Sequence, residues 1–246
     1  MRLEDFVRKF LTVHKCVGCG EVLGFDRSES AFCEKCWLSW TASLNASCET
    51  CLRSARECAC MPPKLKASGA LVHRKLFFYK KEGTDLPESK LIYAIKRQNH
   101  KRLSRFSADQ LLPLIKQELA ILDVDVSSLM VTNVPRGRSS VAKYGFDQSA
   151  LIAKDIGKRL EVKYEPLFTT SIFSKVQKKL DAAGREHNAN KSISLNNGVE
   201  VCGKFVVLVD DVVTTGASMA SCVRLLMKEG AGGVLCFSIS SKSKEK

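Results

Sequence analysis

The sequence predicts an α/β protein: a mostly parallel sheet with flanking helices, preceded by a small cysteine-rich module. Three observations carry this. Short, continuous apolar runs such as Phe205–Val209 and Val234–Phe237 alternate with segments of helical period, the pattern of strands buried on both faces. Eight of the eleven cysteines fall between Cys16 and Cys60 in closely spaced pairs. One apolar run, in "VVLVDDVVTTGAS" (Val206 to Ser218), leads straight into two adjacent carboxylates and a Thr-Thr-Gly turn.

Taken in order, residues 1–14 have Leu3, Phe6, Val7, Phe10 and Leu11 on one face of a short amphipathic helix. Residues 15–62 form the cysteine module, too poor in aliphatic side chains to build its own core, and "MPPK" (61–64) reads as a linker. "ASGALVH" (67–73) and "LFFYK" (76–80) read as two strands. Segments 88–98 and 103–119 read as helices, with Pro113 expected to kink or break the second. "LMVTNV" (129–134) is a strand. Residues 146–160 are a helix with Leu151, Ile152, Ile156 and Leu160 inward, and 163–170 a strand weakened by Pro166. Residues 171–198 lack a period and read as a long loop. Strand 205–209, helix Ala217–Lys228 and strand 233–240 complete the chain before the polar tail.

The division expected is 1–62 for the N-terminal helix and cysteine module and 63–246 for the α/β domain. No run reaches the roughly 18 apolar residues of a membrane span, and the N-terminus mixes acids and bases where a secretion signal would be apolar. The expected compartment is cytoplasmic. The net charge of +13 favours phosphate-rich partners, although a basic surface also serves solubility alone.

A CxxC turn points two thiolates at one spot, and two such turns make the tetrahedral site that zinc favours. Taken sequentially, Cys16, Cys19, Cys33 and Cys36 would hold one ion and Cys48, Cys51, Cys58 and Cys60 a second. An interleaved grouping and an iron–sulfur cluster stay open. Disulfides fit poorly with a cytoplasmic chain. All-cysteine ligation leaves no open position, which implies a structural role. Gly18 and Gly20 would permit the positive φ of a tight knuckle. Cys202, Cys222 and Cys236 sit among apolar neighbours and read as buried small hydrophobes.

The acidic run resembles a Walker B strand, but no GxxxxGK[ST] loop accompanies it. A cradle for a phosphorylated ribose fits better. Asp210 and Asp211 at a strand end can accept hydrogen bonds from vicinal hydroxyls. The turn Val213–Ala217 opens a helix, whose N-terminal amides favour an anion. Thr214, Thr215 and Ser218 add hydroxyls, and Gly216 allows close approach.

The stretch resembles the phosphoribosyl-pyrophosphate (PRPP) motif of type I phosphoribosyltransferases. With a cysteine ribbon in front, the chain resembles the ComF competence proteins over most of its length. "LIYAIKRQNHKRL", with Lys96, "VPRGRSSVAKYGFDQSALIAKDI" and "VQKKLDAAGREHNANKSI" are similar to that family's segments. The resemblance implies a type I phosphoribosyltransferase-like fold. It implies Asp210 and Asp211 on the ribose hydroxyls, Val213, Thr214, Thr215, Gly216, Ala217 and Ser218 around the 5′-phosphate, and Arg136, Gly137 and Arg138 facing pyrophosphate. Gln177, Leu180, Arg185 and Asn188 would lie on a closing loop. Arg138 and Arg185, with Arg136 and Lys178, would stabilise the leaving group, and magnesium would accompany PRPP. The chain departs from the motif at Tyr144, where the family has Arg, and at Asp147, where it has Asn.

Three functions follow from the resemblance and the charge: a PRPP- or nucleotide-binding protein of DNA uptake in natural transformation, working with single-stranded DNA and a helicase; a nucleotide-salvage phosphoribosyltransferase; and a non-catalytic zinc-ribbon protein binding single-stranded DNA. Lys15, Lys35, Arg53, Arg56, Lys64 and Lys66 make the ribbon basic. Trp37 and Trp40 offer base-stacking surfaces, but beside a knuckle they are expected to pack its core.

Overall fold

A computed structural model describes residues 13–79, 85–170 and 193–242. Most of the expected N-terminal helix, nearly all of the loop with Gln177, Lys178, Leu180, Arg185 and Asn188, and most of the tail lie outside these residues.

Four strands make the main sheet: β1 (Val72–Tyr79), β2 (Leu129–Asn133), β5 (Phe205–Val213) and β6 (Gly233–Lys242). Their order is β1-β6-β5-β2, and every neighbouring pair is parallel. A short antiparallel pair, β3 (Phe168–Thr170) and β4 (Ile193–Leu195), stands beside it. The helices are α1 (Glu34–Leu44), α2 (Pro63–Lys66), α3 (Pro87–Arg97), α4 (Lys101–Ile121), α5 (Arg138–Tyr144), α6 (Gln148–Leu160) and α7 (Ala217–Lys228).

Along β5 the side chains alternate between two cores. Val207 and Val209 join Ile152, Ile156, Leu235 and Phe237 on one face. Val206 and Leu208 join Met219, Val223, Val234 and Cys236 on the other. A parallel strand covered on both faces must read as an unbroken apolar run, which is why this part of the fold was legible.

The two strands expected at 67–73 and 76–80 are one strand, β1. Its interruption in sequence, Arg74-Lys75, is compensated in space. Arg74 Nε donates to Glu118 Oε1 at 2.6 Å, and Lys75 is buried against the second cysteine unit. Residues 67–71 instead form the turn after α2, with Gly69 at φ +91°. The linker at 61–64 contains the start of α2, with Pro63 in its first turn, where the missing N–H has no role. Pro113 lies inside α4 without ending it. The strand expected at 163–170 shrinks to β3, and Tyr164 makes only an isolated bridge to Val131. Cys222 and Cys236 are buried as expected, but Cys202 is exposed, at an isolated bridge to Ala231.

The first cysteine unit borrows its core. Leu23, Phe32, Trp40 and Leu44 belong to the same apolar cluster as β1 and α4. Trp40 is 0% exposed, with its ring 5.4 Å from Phe32, 5.6 Å from Phe77 and 5.8 Å from Phe106. Trp37 meets the edge of Phe106 at 6.1 Å. Both tryptophans pack as expected: Trp40 is fully buried, and Trp37 is partly buried against Phe106.

Trp40→Ala should remove the joint between this unit and the sheet. The expected loss is about 3–5 kcal/mol, read as a lower denaturant midpoint in equilibrium unfolding.

Candidate functional site

The site lies at the carboxyl ends of the main-sheet strands, where open parallel sheets bind ligands. β5 runs through both carboxylates and ends at Val213. The turn Thr214–Gly216 follows, with Gly216 at φ +74°, and α7 begins at Ala217. A side chain at Gly216 would be strained by that φ. Its Cβ would also stand 3.2 Å from Pro62 Cβ and 3.3 Å from Leu65 Cβ. The first amides of a twelve-residue helix lack intrahelical acceptors. Thr215 Oγ1 takes the Ala217 N–H at 3.4 Å, and the other hydroxyls of the turn, on Thr214 and Ser218, are exposed. A cavity of about 60 Å³ is lined by Asp210, Val212 and the run Val213–Met219.

The pleat sends the two carboxylates in different directions. Asp210 lines this cavity. Its Oδ1 accepts from Ser149 Oγ at 3.1 Å and from the Asp211 N–H at 2.8 Å. Burial, followed by the charge of Asp211, raises its pKa well above the usual carboxylate range. Asp211 is buried and does not line the cavity. Its Oδ2 accepts from Gln148 Nε2 at 2.8 Å, and Lys96 Nζ stands 3.6 Å away. Gln148, Ser149 and Lys96 thus shape the acids from α6 and α3. Asp147 caps α6 by accepting from the Ser149 and Ala150 amides, a role not read from the sequence.

The turn after β2 holds Pro135, Arg136 and Gly137. Arg136 donates its amide to Asp147 Oδ2 at 2.8 Å, and its guanidinium to Lys96 O at 2.8 Å and Phe146 O at 3.2 Å. The guanidinium lies 4.7 Å from the Tyr144 ring centroid. The two positions that depart from the resembled motif, Tyr144 and Asp147, are therefore the ones that grip Arg136. Burial raises the pKa of Asp147, against the three amides that donate to it. Arg138 opens α5 and reaches Thr169 Oγ1 at 3.4 Å, and Gly137 is exposed before it. Arg185 lies outside the described residues.

The cysteines gather as two sequential groups, Cys16, Cys19, Cys33 and Cys36, and Cys48, Cys51, Cys58 and Cys60. Within each, the sulfurs all lie within 4.8 Å of one another. The Cys19–Cys33 Sγ separation is 3.6 Å. Zinc–sulfur bonds of about 2.3 Å in a tetrahedron require sulfurs about 3.8 Å apart, so both groups fit a zinc-sized ion. The knuckles repeat one geometry. Lys15 bridges Val22 and Gly20 N–H bonds Cys16 O; Ser47 bridges Ser54 and Leu52 N–H bonds Cys48 O. Gly20 has the expected positive φ of 82°, and Leu52 takes 60° at the matching place in the second knuckle. Gly18 serves differently from the expectation. Its φ is not positive; a Cβ there would lie 2.6 Å from Cys36 Sγ, so it is needed for close approach.

Lys75 was missed by sequence reading. It is 1% exposed, and its ammonium donates to Cys58 O at 3.0 Å, Cys58 Sγ at 3.1 Å and Cys60 O at 3.0 Å. A charge pattern alone cannot reveal it, because a lysine in a strand usually marks a solvent face.

No helix among the described residues is long and apolar enough to cross a membrane. No family model matches the chain. Over 105 residues, 42% of this chain, it is 30% identical to the "DNA utilization protein YhgH" of Escherichia coli K12. The Salmonella typhi protein of that name matches at the same identity and length. The match spans 45% of each relative, less than half of its length. Among solved structures, the glutamine PRPP amidotransferase of B. subtilis is 22% identical, with 60% of this chain and 30% of that chain covered and a TM-score of 0.41. Adenine phosphoribosyltransferase of Saccharomyces cerevisiae is 18% identical, with 55% and 68% covered and a TM-score of 0.34. Scores this low decide nothing about chemistry.

Proposed function

We propose that the chain binds a phosphorylated ribose, as PRPP or a nucleotide, at the end of β5, and that it is a ComF-like protein serving the use or uptake of DNA in the cytoplasm. The observation that carries the reading is the left-handed Gly216 turn. It joins a half-buried acid, Asp210, to the N-terminus of α7 around one small cavity. Diol recognition by Asp210 and phosphate recognition by the amides and hydroxyls of Thr214–Ser218 fall within one sugar phosphate of each other. The similarity to the DNA utilization proteins supports the cellular role. DNA and a helicase are the partners this role would involve.

Two structural zinc ions would occupy the cysteine groups. Magnesium would enter with PRPP at the Asp210 carboxylate, where it neutralises charge on a leaving pyrophosphate. Asp211, held by Gln148 and Lys96, fixes the backbone that presents Asp210. Arg136 has its guanidinium engaged by carbonyls and rings. That leaves Arg138, among the described residues, to face pyrophosphate if transfer to an acceptor follows, with Arg185 as the further residue the resemblance implies. Binding is therefore the primary reading, and phosphoribosyl transfer is the reaction it would serve.

PRPP with magnesium, at about one hundred times its dissociation constant, should stabilise the protein by roughly 2.7 kcal/mol. For a chain of this size that is a rise in Tm of about 2–4 °C. The shift should vanish in the Asp210→Asn/Asp211→Asn double variant. A wild-type chain that neither shifts nor binds PRPP in calorimetry would sink the reading.

The free protein should show the cost of this site. A carboxyl with a raised folded pKa favours the folded state while protonated, and that advantage is lost as pH climbs above the unfolded value of about 4. Asp210→Asn should therefore be more stable than wild type at pH 7 while binding ligand worse. The gap in unfolding free energy should narrow as the pH is lowered toward that value. Equal stability of the two proteins across the range would contradict it.

A further inference from the structure

We infer that the second cysteine centre is a positioning device for the phosphate-binding turn: its metal occupancy sets the affinity for a phosphorylated ribose, and that of the first centre does not. The affinity half of this rests on the ribose-phosphate reading; the structural half does not.

The two centres are held differently. The first unit contributes Phe32, Trp40 and Leu44 to the core shared with α4 and β1. The second, from Ser47 to Cys60, contributes to neither main core. Its buried apolar residues are Cys48, Ala55 and Cys58. A segment with so little apolar burial needs another source of order, and four ligated thiolates supply it.

Lys75 is the joint. Its ammonium is buried on β1; its three hydrogen-bond acceptors belong to the knuckle residues Cys58 and Cys60, and the Phe78 ring centroid lies 5.4 Å away. Among the described residues no carboxylate lies within ion-pair distance of it. A buried cation without an anion is costly. Four thiolates around a divalent ion leave a net charge of −2, which is the anion this lysine needs. Lys75 therefore fits a loaded centre and ties that centre to the sheet.

The path to the cradle is short. Cys60 is followed by Met61 and then Pro62, whose carbonyl accepts from the Leu65 and Lys66 amides at 3.0 Å. Pro62 and Leu65 form the wall against which Gly216 closes, at the 3.2 and 3.3 Å already given for its missing Cβ. Leu65 is 0% exposed in the core that also holds Val213 and Met219. A cavity of about 420 Å³ has Cys60, Met61 and Pro62 on one side and Thr214 and Thr215 on the other, so knuckle and turn face each other directly. Release of Cys60 frees Met61 and Pro62, and with them the outer wall of the turn.

The test compares full-length Cys51→Ser and Cys19→Ser, each removing one ligand from one centre, with Lys75→Met. Zinc per chain, amide hydrogen exchange over Val212–Met219 without ligand, and PRPP–magnesium affinity by calorimetry are measured for each. Cys51→Ser is expected to lose one zinc, to exchange faster over Val212–Met219 and to bind PRPP about tenfold or more weakly. Cys19→Ser is expected to lose one zinc and leave exchange there unchanged, with affinity kept within about twofold. Lys75→Met should weaken zinc at the second centre by about 10–100-fold and reproduce the faster exchange. If a variant does not fold, wild type is titrated with chelator, zinc release is assigned to a centre by mapping alkylated cysteines, and exchange is followed in step. Loss of zinc from the second centre with unchanged exchange over Val212–Met219 overturns the inference, as does an equal effect from the first. Wild type that fails to bind PRPP overturns the ribose-phosphate reading instead, and the exchange data still decide the link between centre and turn.

Discussion

The structure turns on β5, a central strand buried on both faces that carries two adjacent carboxylates near its C-terminal end. Burial on both faces forces the apolar run Val206–Val209 and two separate cores. It also means that any charge at the end of the strand must be compensated locally, because neither core can solvate it. The surrounding elements answer this need. α6 brings Gln148 and Ser149, α3 brings Lys96, and the Asp211 and Val212 amides of β5 itself donate to the two carboxylates. Asp210 remains the unbalanced group, with its pKa raised by burial and by its neighbour. An acid in that condition beside an open cavity is what the proposed ligand site would need, because perturbed carboxylates cluster at functional sites.

How far the sequence could be read follows from the same physics. β5, α7 and β6 were visible because a two-sided core imposes an apolar run and an amphipathic helix, with a turn between them that only glycine adopts without strain. Both cysteine groups were visible because thiolate pairs at short spacing have few other uses. What escaped reading depended on partners far away in sequence. Arg74 and Lys75 split β1 into two apparent strands, yet each has its counter-charge or acceptor from another element, 44 and 17 residues away. α1 escaped because much of its apolar face packs beyond its own module, with Trp40 against Phe77 and Phe106 as well as Phe32. Leu52, at φ 60°, gives no warning of the turn it makes, because the ordinary signal for that conformation is glycine.

The turn after β2 is arranged differently from what the resembled motif implies. In the resembled family this segment faces pyrophosphate. Here Arg136 reaches back to Lys96 O and Phe146 O, with Tyr144 against its plane. A guanidinium with carbonyl partners and an aromatic neighbour has fewer donors left for a phosphate. Asp147 reinforces the arrangement by taking the Arg136 amide while it caps α6. Tyr144 and Asp147 thus act together: through Arg136 they join the turn to α3, α5 and α6.

The bracing gives the two acids separate duties. Asp211 faces α6 and α3 and is saturated by protein groups, so it anchors the end of the strand. Asp210 faces the cavity with one oxygen engaged, so its second oxygen is the one positioned for a ligand. On the far side of the same turn, Pro62 and Leu65 bear on Gly216. The Gly216 turn is therefore held from two directions, by a hydrogen-bonded carboxylate within the domain and by a segment that begins at Cys60, one of the clustered thiols. The first hold depends only on the folded sheet. The second begins at a cysteine group, so under the proposed reading an ion bound there would make the cysteine module part of the site's construction.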